Sequence, residues 1–158
     1  MASTSCRAAG RGGRVPALAL AVSVIGALVL AGCSTAAGGT VKVTLTEWAV
    51  VPDKTSVPAG YVTFDVTNAG TQFKHEFVVI QTDLAPDALP KSAEGKVDES
   101  AAGISNLGEV EELEMGATKS LTLNLKAGKY VLVCNIVEAA GGHESHYLKG
   151  MRTAFTVS

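Results

Sequence analysis

The segment Cys134-Asn-Ile-Val-Glu-Ala-Ala-Gly-Gly-His143-Glu-Ser-His146-Tyr-Leu-Lys-Gly-Met151 brings a thiol, two imidazoles and a thioether close together near the C-terminus. A third imidazole, His75, stands far upstream. Each donor type has a chemical preference. Thiolate and thioether sulfur are soft and favour Cu(I), whereas imidazole nitrogen accepts Cu(II) readily. Two imidazoles, one thiolate and a weak axial thioether therefore suit a copper ion that gains and loses one electron with little rearrangement. Zinc fits less well, because this set offers no hard or charged fourth ligand. A Cys–His hydrolase would need a group to orient its histidine, and no Asn or Asp motif accompanies the pair.

The pattern upstream of Cys134 indicates where these side chains stand. Tyr130-Val-Leu-Val-Cys134 is a continuous apolar run, as is Phe77 to Ile80. Such runs suit central strands shielded on both faces. Elsewhere the period is two: Val41, Val43 and Leu45 alternate with Lys42, Thr44 and Thr46. Val62, Phe64 and Val66 follow the same rule, as do Leu121, Leu123 and Leu125. These are half-buried strands, with Thr153 to Val157 making a last one. Pro58-Ala59-Gly60, Asn68-Ala69-Gly70 and Ala127-Gly128 mark turns. The stretch from Asp83 to Asn106, rich in Pro, Ala, Gly and charge, reads as a long excursion with one short helix near Asp87 to Leu89. No repeat is present. The expected architecture is all-β, a Greek-key β-sandwich of about eight strands. Cys134 would end one strand and His75 begin another at the same rim, with the returning segment carrying His146 and Met151 there as well.

The N-terminus is of a different kind. Arg7, Arg11 and Arg14 precede an apolar run from Val15 to Leu30, and Leu30-Ala31-Gly32-Cys33 follows. This is the layout of a secretory signal peptide, too short to span a membrane comfortably. The tetrad resembles the lipobox of bacterial lipoproteins, which implies cleavage before Cys33 and lipidation of that residue. The expected organisation is a lipoprotein-type signal over 1–32, a flexible tether over 33–40 and a copper domain over 41–158. The protein would be exported and lipid-anchored, at the outer face of the cytoplasmic membrane or on the periplasmic side. Removing the signal leaves ten basic against fifteen acidic residues, a balance of −5 that argues against a nucleic-acid partner. Cys6 leaves with the signal and lipid consumes Cys33, so Cys134 is the one thiol of the folded domain. In an exported protein it has no internal disulfide partner, and the nearby histidines favour metal binding.

His146-Tyr-Leu-Lys-Gly150-Met151 resembles the H-x-x-x-G-M closing motif of the plastocyanin- and azurin-like cupredoxins, the type 1 blue-copper proteins. The strand ending at Cys134 is similar to the family's cysteine strand, and His75 stands where its upstream histidine does. The resemblance implies one type 1 copper ion, with His75, Cys134 and His146 as equatorial ligands and Met151 as the axial one. It also implies one-electron transfer rather than enzymatic turnover, with the exposed ring edge of the loop histidine as the electron portal. Two features depart from the family pattern. Glu76 occupies a position where many members carry an amide that stitches the ligand loops together, and Val137 to Ser145 has the look of an insertion. His143 offers an alternative ligand, but the interval to Gly150-Met151 favours His146.

Other groups have plainer expectations. Glu109, Glu111, Glu112 and Glu114 read as a solvated strand edge, with an acidic docking patch for a basic redox partner as the sharper alternative. Trp48 and Tyr130 read as core aromatics rather than electron relays. Gly141-Gly142 lacks the strand-to-helix setting of a phosphate cradle. The function expected is single-electron transfer between extracytoplasmic redox partners. The alternative is a carrier or sensor that takes Cu(I) from a donor and delivers it to an acceptor.

Overall fold

The computed structural model describes residues 38–139 and 144–158. The expected signal, Cys33, the first part of the tether and His143 lie outside them. The strands are β1 (Gly39–Thr46), β2 (Ala49–Pro52), β3 (Ser56–Val57), β4 (Gly60–Asn68), β5 (His75–Gln81) and β6 (Ser105–Leu113). They continue with β7 (Thr118–Leu125), β8 (Gly128–Val133), β9 (Val137–Glu138), β10 (Glu144–Ser145) and β11 (Arg152–Val157). A single helical turn, α1 (His146–Lys149), lies between β10 and β11. Among the described residues no helix is long and apolar enough to cross a membrane.

Two sheets face each other, in the orders β2-β1-β4-β7 and β3-β11-β8-β5-β6. The chain passes between them repeatedly, which is the Greek-key sandwich expected. The additional strands are short: β2 and β3 extend the two sheets, while β9 and β10 form a separate ribbon. β1 starts at Gly39, two residues before the pattern's Val41, because Gly39 and Thr40 already pair in parallel with Val62 and Thr63.

The alternating strands send Val41, Val43, Leu45, Val62, Phe64 and Val66 into one core, where they meet Phe77, Val79, Tyr130, Leu132 and Phe155. The continuous runs have a second neighbour. Val78, Ile80, Val131 and Val133 point away from the sandwich into a cluster with Leu89, Val97, Ile104 and Tyr147. The excursion between β5 and β6 thus roofs the outer face of the five-stranded sheet. Its expected short helix is instead a turn, closed by the Ala88 amide donating to the Ala85 carbonyl at 2.9 Å. Pro86 lies inside that turn and Pro90 just beyond it, and proline inside a helix removes a hydrogen bond and crowds the preceding turn.

Strand register delivers the site. β5 and β8 are antiparallel neighbours with Val78 opposite Val133, so the start of β5 and the end of β8 share one rim. β11 pairs β8 with Arg152 opposite Val133, which brings Met151 to the same rim. The Cys134 amide donates to the Met151 carbonyl at 3.0 Å.

Candidate metal centre

His75, Cys134 and His146 meet at this rim, each 0 % exposed. Nδ1 of His75 lies 3.3 Å from Nδ1 of His146. Sγ of Cys134 lies 3.3 Å from His146 Nδ1 and 3.9 Å from His75 Nδ1. An ion at the centre of this triangle would stand about 2 Å from each donor, the length of a metal–imidazole bond. Met151 is equally buried and belongs to the same apolar cluster as Cys134. The sequence expectation that β5 and β8 carry remote donors to one point is therefore met in the geometry.

The far edges of the two imidazoles also suit a metal. Neither Nε2 has an aligned hydrogen-bond partner. His75 Nε2 faces Glu47 Oε1 at 3.7 Å, and His146 Nε2 faces Glu138 Oε1 at 3.3 Å. Carboxylates behind both rings favour the tautomer with hydrogen on Nε2, leaving the Nδ1 lone pairs for an ion. Burial, followed by the neighbouring His146, lowers the His75 pKa to about 4. The His146 pKa is also lowered, chiefly by burial. Both rings are thus neutral at physiological pH, as metal ligation requires. Burial pushes the Cys134 thiol up to about 12, so without metal it keeps its proton, and binding a cation would release it.

The surroundings hold these side chains firmly. The Glu76 amide donates to Cys134 Sγ at 3.2 Å. The amide-bearing side chain missing at position 76 has a counterpart at Asn135, directly after the thiol. Asn135 accepts from the Val97 amide at 2.6 Å and donates to the Val97 carbonyl and to Glu99 Oε1. Sequence reasoning overlooked Asn135, although its position beside Cys134 was a usable signal. On the other side, Ser145 caps α1 through the Leu148 amide and donates to the Gly95 carbonyl at 2.7 Å. Tyr147 Oη donates to the Pro86 carbonyl and accepts from the Leu89 amide. The neighbours of both Cys134 and His146 are thus tied to the roof over the sheet. Gly95 must be glycine there: its φ is +83°, and a Cβ would collide with Leu148.

The Glu76 carboxyl is raised to about 7, by burial first and then by Glu109 and Glu99. Glu47 is anchored by the amides of Thr71, Gln72 and Phe73, which outweigh burial and lower its pKa. Glu111 and Glu112 are exposed on β6, an edge strand, and Lys74 pairs with Glu112 and Glu114. A charged edge resists pairing with a foreign strand. The two ends of the apparent insertion pair as the β9–β10 ribbon, Val137 opposite Ser145.

Tyr130 is the core residue expected, with Oη donating to the Lys126 carbonyl. Two other expectations change. Trp48 is only half-buried, packed against the edge of the core, and its ring meets His146 edge-on with centroids 5.0 Å apart. The turn between β1 and β2 carries it to the rim, a placement invisible to local periodicity. The His146 ring, expected to show an exposed edge, is fully covered.

A sandwich of this topology with two imidazoles and a thiolate at one rim defines a copper site of the blue-copper class. The cupredoxin-like domain family model matches residues 18–143, and the chain belongs to that family. The match takes in His75 and Cys134 and ends before His146 and Met151. Among solved structures, dithionite-reduced auracyanin from Roseiflexus castenholzii is 20% identical with a TM-score of 0.53, the alignment covering 77% of this chain and 98% of that one. Auracyanin A, described as a "blue" copper protein from Chloroflexus aurantiacus, is 20% identical with a TM-score of 0.50, over 77% and 100% of the two chains. These likenesses concern the fold. No curated protein matches the sequence.

Proposed function

We propose that the protein is a one-electron carrier whose copper ion is held by His75, Cys134 and His146, with Met151 as axial ligand. The observation that carries this reading is the buried triangle of two Nδ1 atoms and one Sγ, its size matched to a single ion. A bound copper would supply a one-electron couple. The chain's contribution is to fix the donors on rigid strands, to exclude water and to hold hydrogen on the outer nitrogens. Full burial of all three donors favours retention of the ion over delivery, so the carrier reading for Cu(I) comes second. We place the protein outside the cytoplasm, with 1–32 as signal, 33–40 as tether and lipid on Cys33. Redox proteins are its partners, and it has no substrate turnover of its own.

The test is the absorption and paramagnetic-resonance spectrum of the copper-loaded protein. Intense visible absorption from a thiolate–Cu(II) bond is expected, lost in Cys134→Ser and His146→Ala but kept in His143→Ala. A pale Cu(II) complex, or rapid loss of copper to a chelator with no reversible couple, would defeat the reading. Mass measurement of the mature protein from membranes checks the lipid on Cys33.

A further inference from the structure

The three donors leave the electron no direct contact with solvent. His75, Cys134, His146 and Met151 are all fully buried, and Glu138 lies against the outer nitrogen of His146. Something else must connect the site to the surface. Two half-buried aromatic rings touch His146: Trp48 at 5.0 Å and Phe73 at 5.6 Å between centroids, both edge-on. They also pack on each other at 5.2 Å. Lys149 Nζ lies 5.5 Å from the centre of the Trp48 ring and pairs with Glu144 at 2.9 Å, both side chains partly exposed.

We propose that Trp48 is the electron portal of this protein, its indole bridging the covered His146 ring to a docked redox partner, with Phe73 bracing it. The inference rests on the copper-carrier reading above. One electron passes from a reduced outer-sphere donor to Cu(II), giving oxidised donor and Cu(I), and in the other direction from Cu(I) to an oxidant such as ferricyanide, giving Cu(II) and ferrocyanide. No bond forms or breaks, no proton moves, and the indole mediates without being oxidised. Lys149 is the cation beside the indole, partly offset by Glu144, and reversing its sign changes the local charge that approaching reagents meet.

Trp48 is the sole tryptophan of the chain, so its emission reports on the contact directly. Titrating the metal-free protein with Cu(II) should quench it strongly; emission indifferent to metal in a protein that metal analysis shows to have taken up copper overturns the proposal. With copper loaded, Trp48→Leu should slow oxidation by ferricyanide about tenfold, about 1.4 kcal/mol in activation free energy. The reduction potential and visible spectrum should stay unchanged, and Trp48→Phe should recover most of the rate. Should Trp48→Leu fail to hold copper, charge reversal decides with the indole in place. Lys149→Glu should slow oxidation by anionic ferricyanide and speed reduction by cationic hexaammineruthenium(II), by up to about tenfold at low salt. Lys129→Glu, at the opposite end of β8, should do neither. Equal rates for wild type and Trp48→Leu, or equal effects of the two reversals, overturn the portal. A wild-type protein without the intense absorption defeats the carrier reading instead, and the emission titration tells the two failures apart.

Discussion

The two faces of the β5–β8 pair are equally apolar yet are buried in different ways. The inner face, with Phe77, Val79, Tyr130 and Leu132, meets the other sheet, whose strands satisfy their own backbone groups. The outer face, with Val78, Ile80, Val131 and Val133, meets an irregular roof. An irregular segment must find partners for its amides and carbonyls, and each one left dry is costly. Here Asn135, Ser145 and Tyr147 supply them, and these residues directly adjoin Cys134 and His146. The inner face therefore sets stability, while the outer face couples stability to the metal centre.

Substitutions on the two faces can break that contrast. The largest stability effect should come from Phe77→Ala on the inner face, costing about 3–5 kcal/mol in denaturant unfolding. Leu89→Ala, in the roof, should cost about 2–4 kcal/mol. It should also raise hydrogen exchange in the roof well before the sandwich strands. Uniform exchange across both would erase the distinction. Asn135→Ala leaves the buried Val97 amide without its partner and should cost about 1–3 kcal/mol. Copper should then leave faster, though no ligand has changed. A release rate equal to that of wild type would show that the roof and the metal centre are independent.

Protonation gives a subtler comparison in the metal-free protein. His75, lowered from 6.5 to about 4, binds its proton more weakly folded than unfolded. Its contribution is present above about 6.5 and lost as pH falls toward about 4. His146 acts in the same direction. Glu76, raised from 4.5 to about 7, acts oppositely: its contribution is full below 4.5 and lost as pH rises through about 7. Between these limits the two effects offset each other. Glu76→Gln should therefore make stability climb more steeply from pH 4 to 7 than in wild type, as followed by thermal melting. A parallel pair of curves would remove Glu76 from the account. The smallest effect belongs to the exposed Thr63–Thr122 hydroxyl pair, where Thr63→Val should change stability by less than about 0.5 kcal/mol.

Much of this was written locally in the chain. Alternation of period two marks Val41 to Leu45 and Val62 to Val66 as one-sided strands, because successive side chains on a strand point to opposite faces. Unbroken runs mark Phe77 to Ile80 and Tyr130 to Val133 as two-sided ones. The donor types at 75, 134, 146 and 151 suggest copper because softness is a property of each atom, wherever it stands. Other features depend on which distant segments touch. The pattern offers no way to know that the roof folds over β5 and β8, which of its groups Asn135 ties down, or that Trp48 packs at the edge of the core against His146. Those outcomes are set by packing between residues many positions apart, where burial and hydrogen-bond satisfaction are decided by the assembled chain. Local sequence carries the identities of the donors; the tertiary fold determines how they are sealed and which neighbour lies between them and the surface.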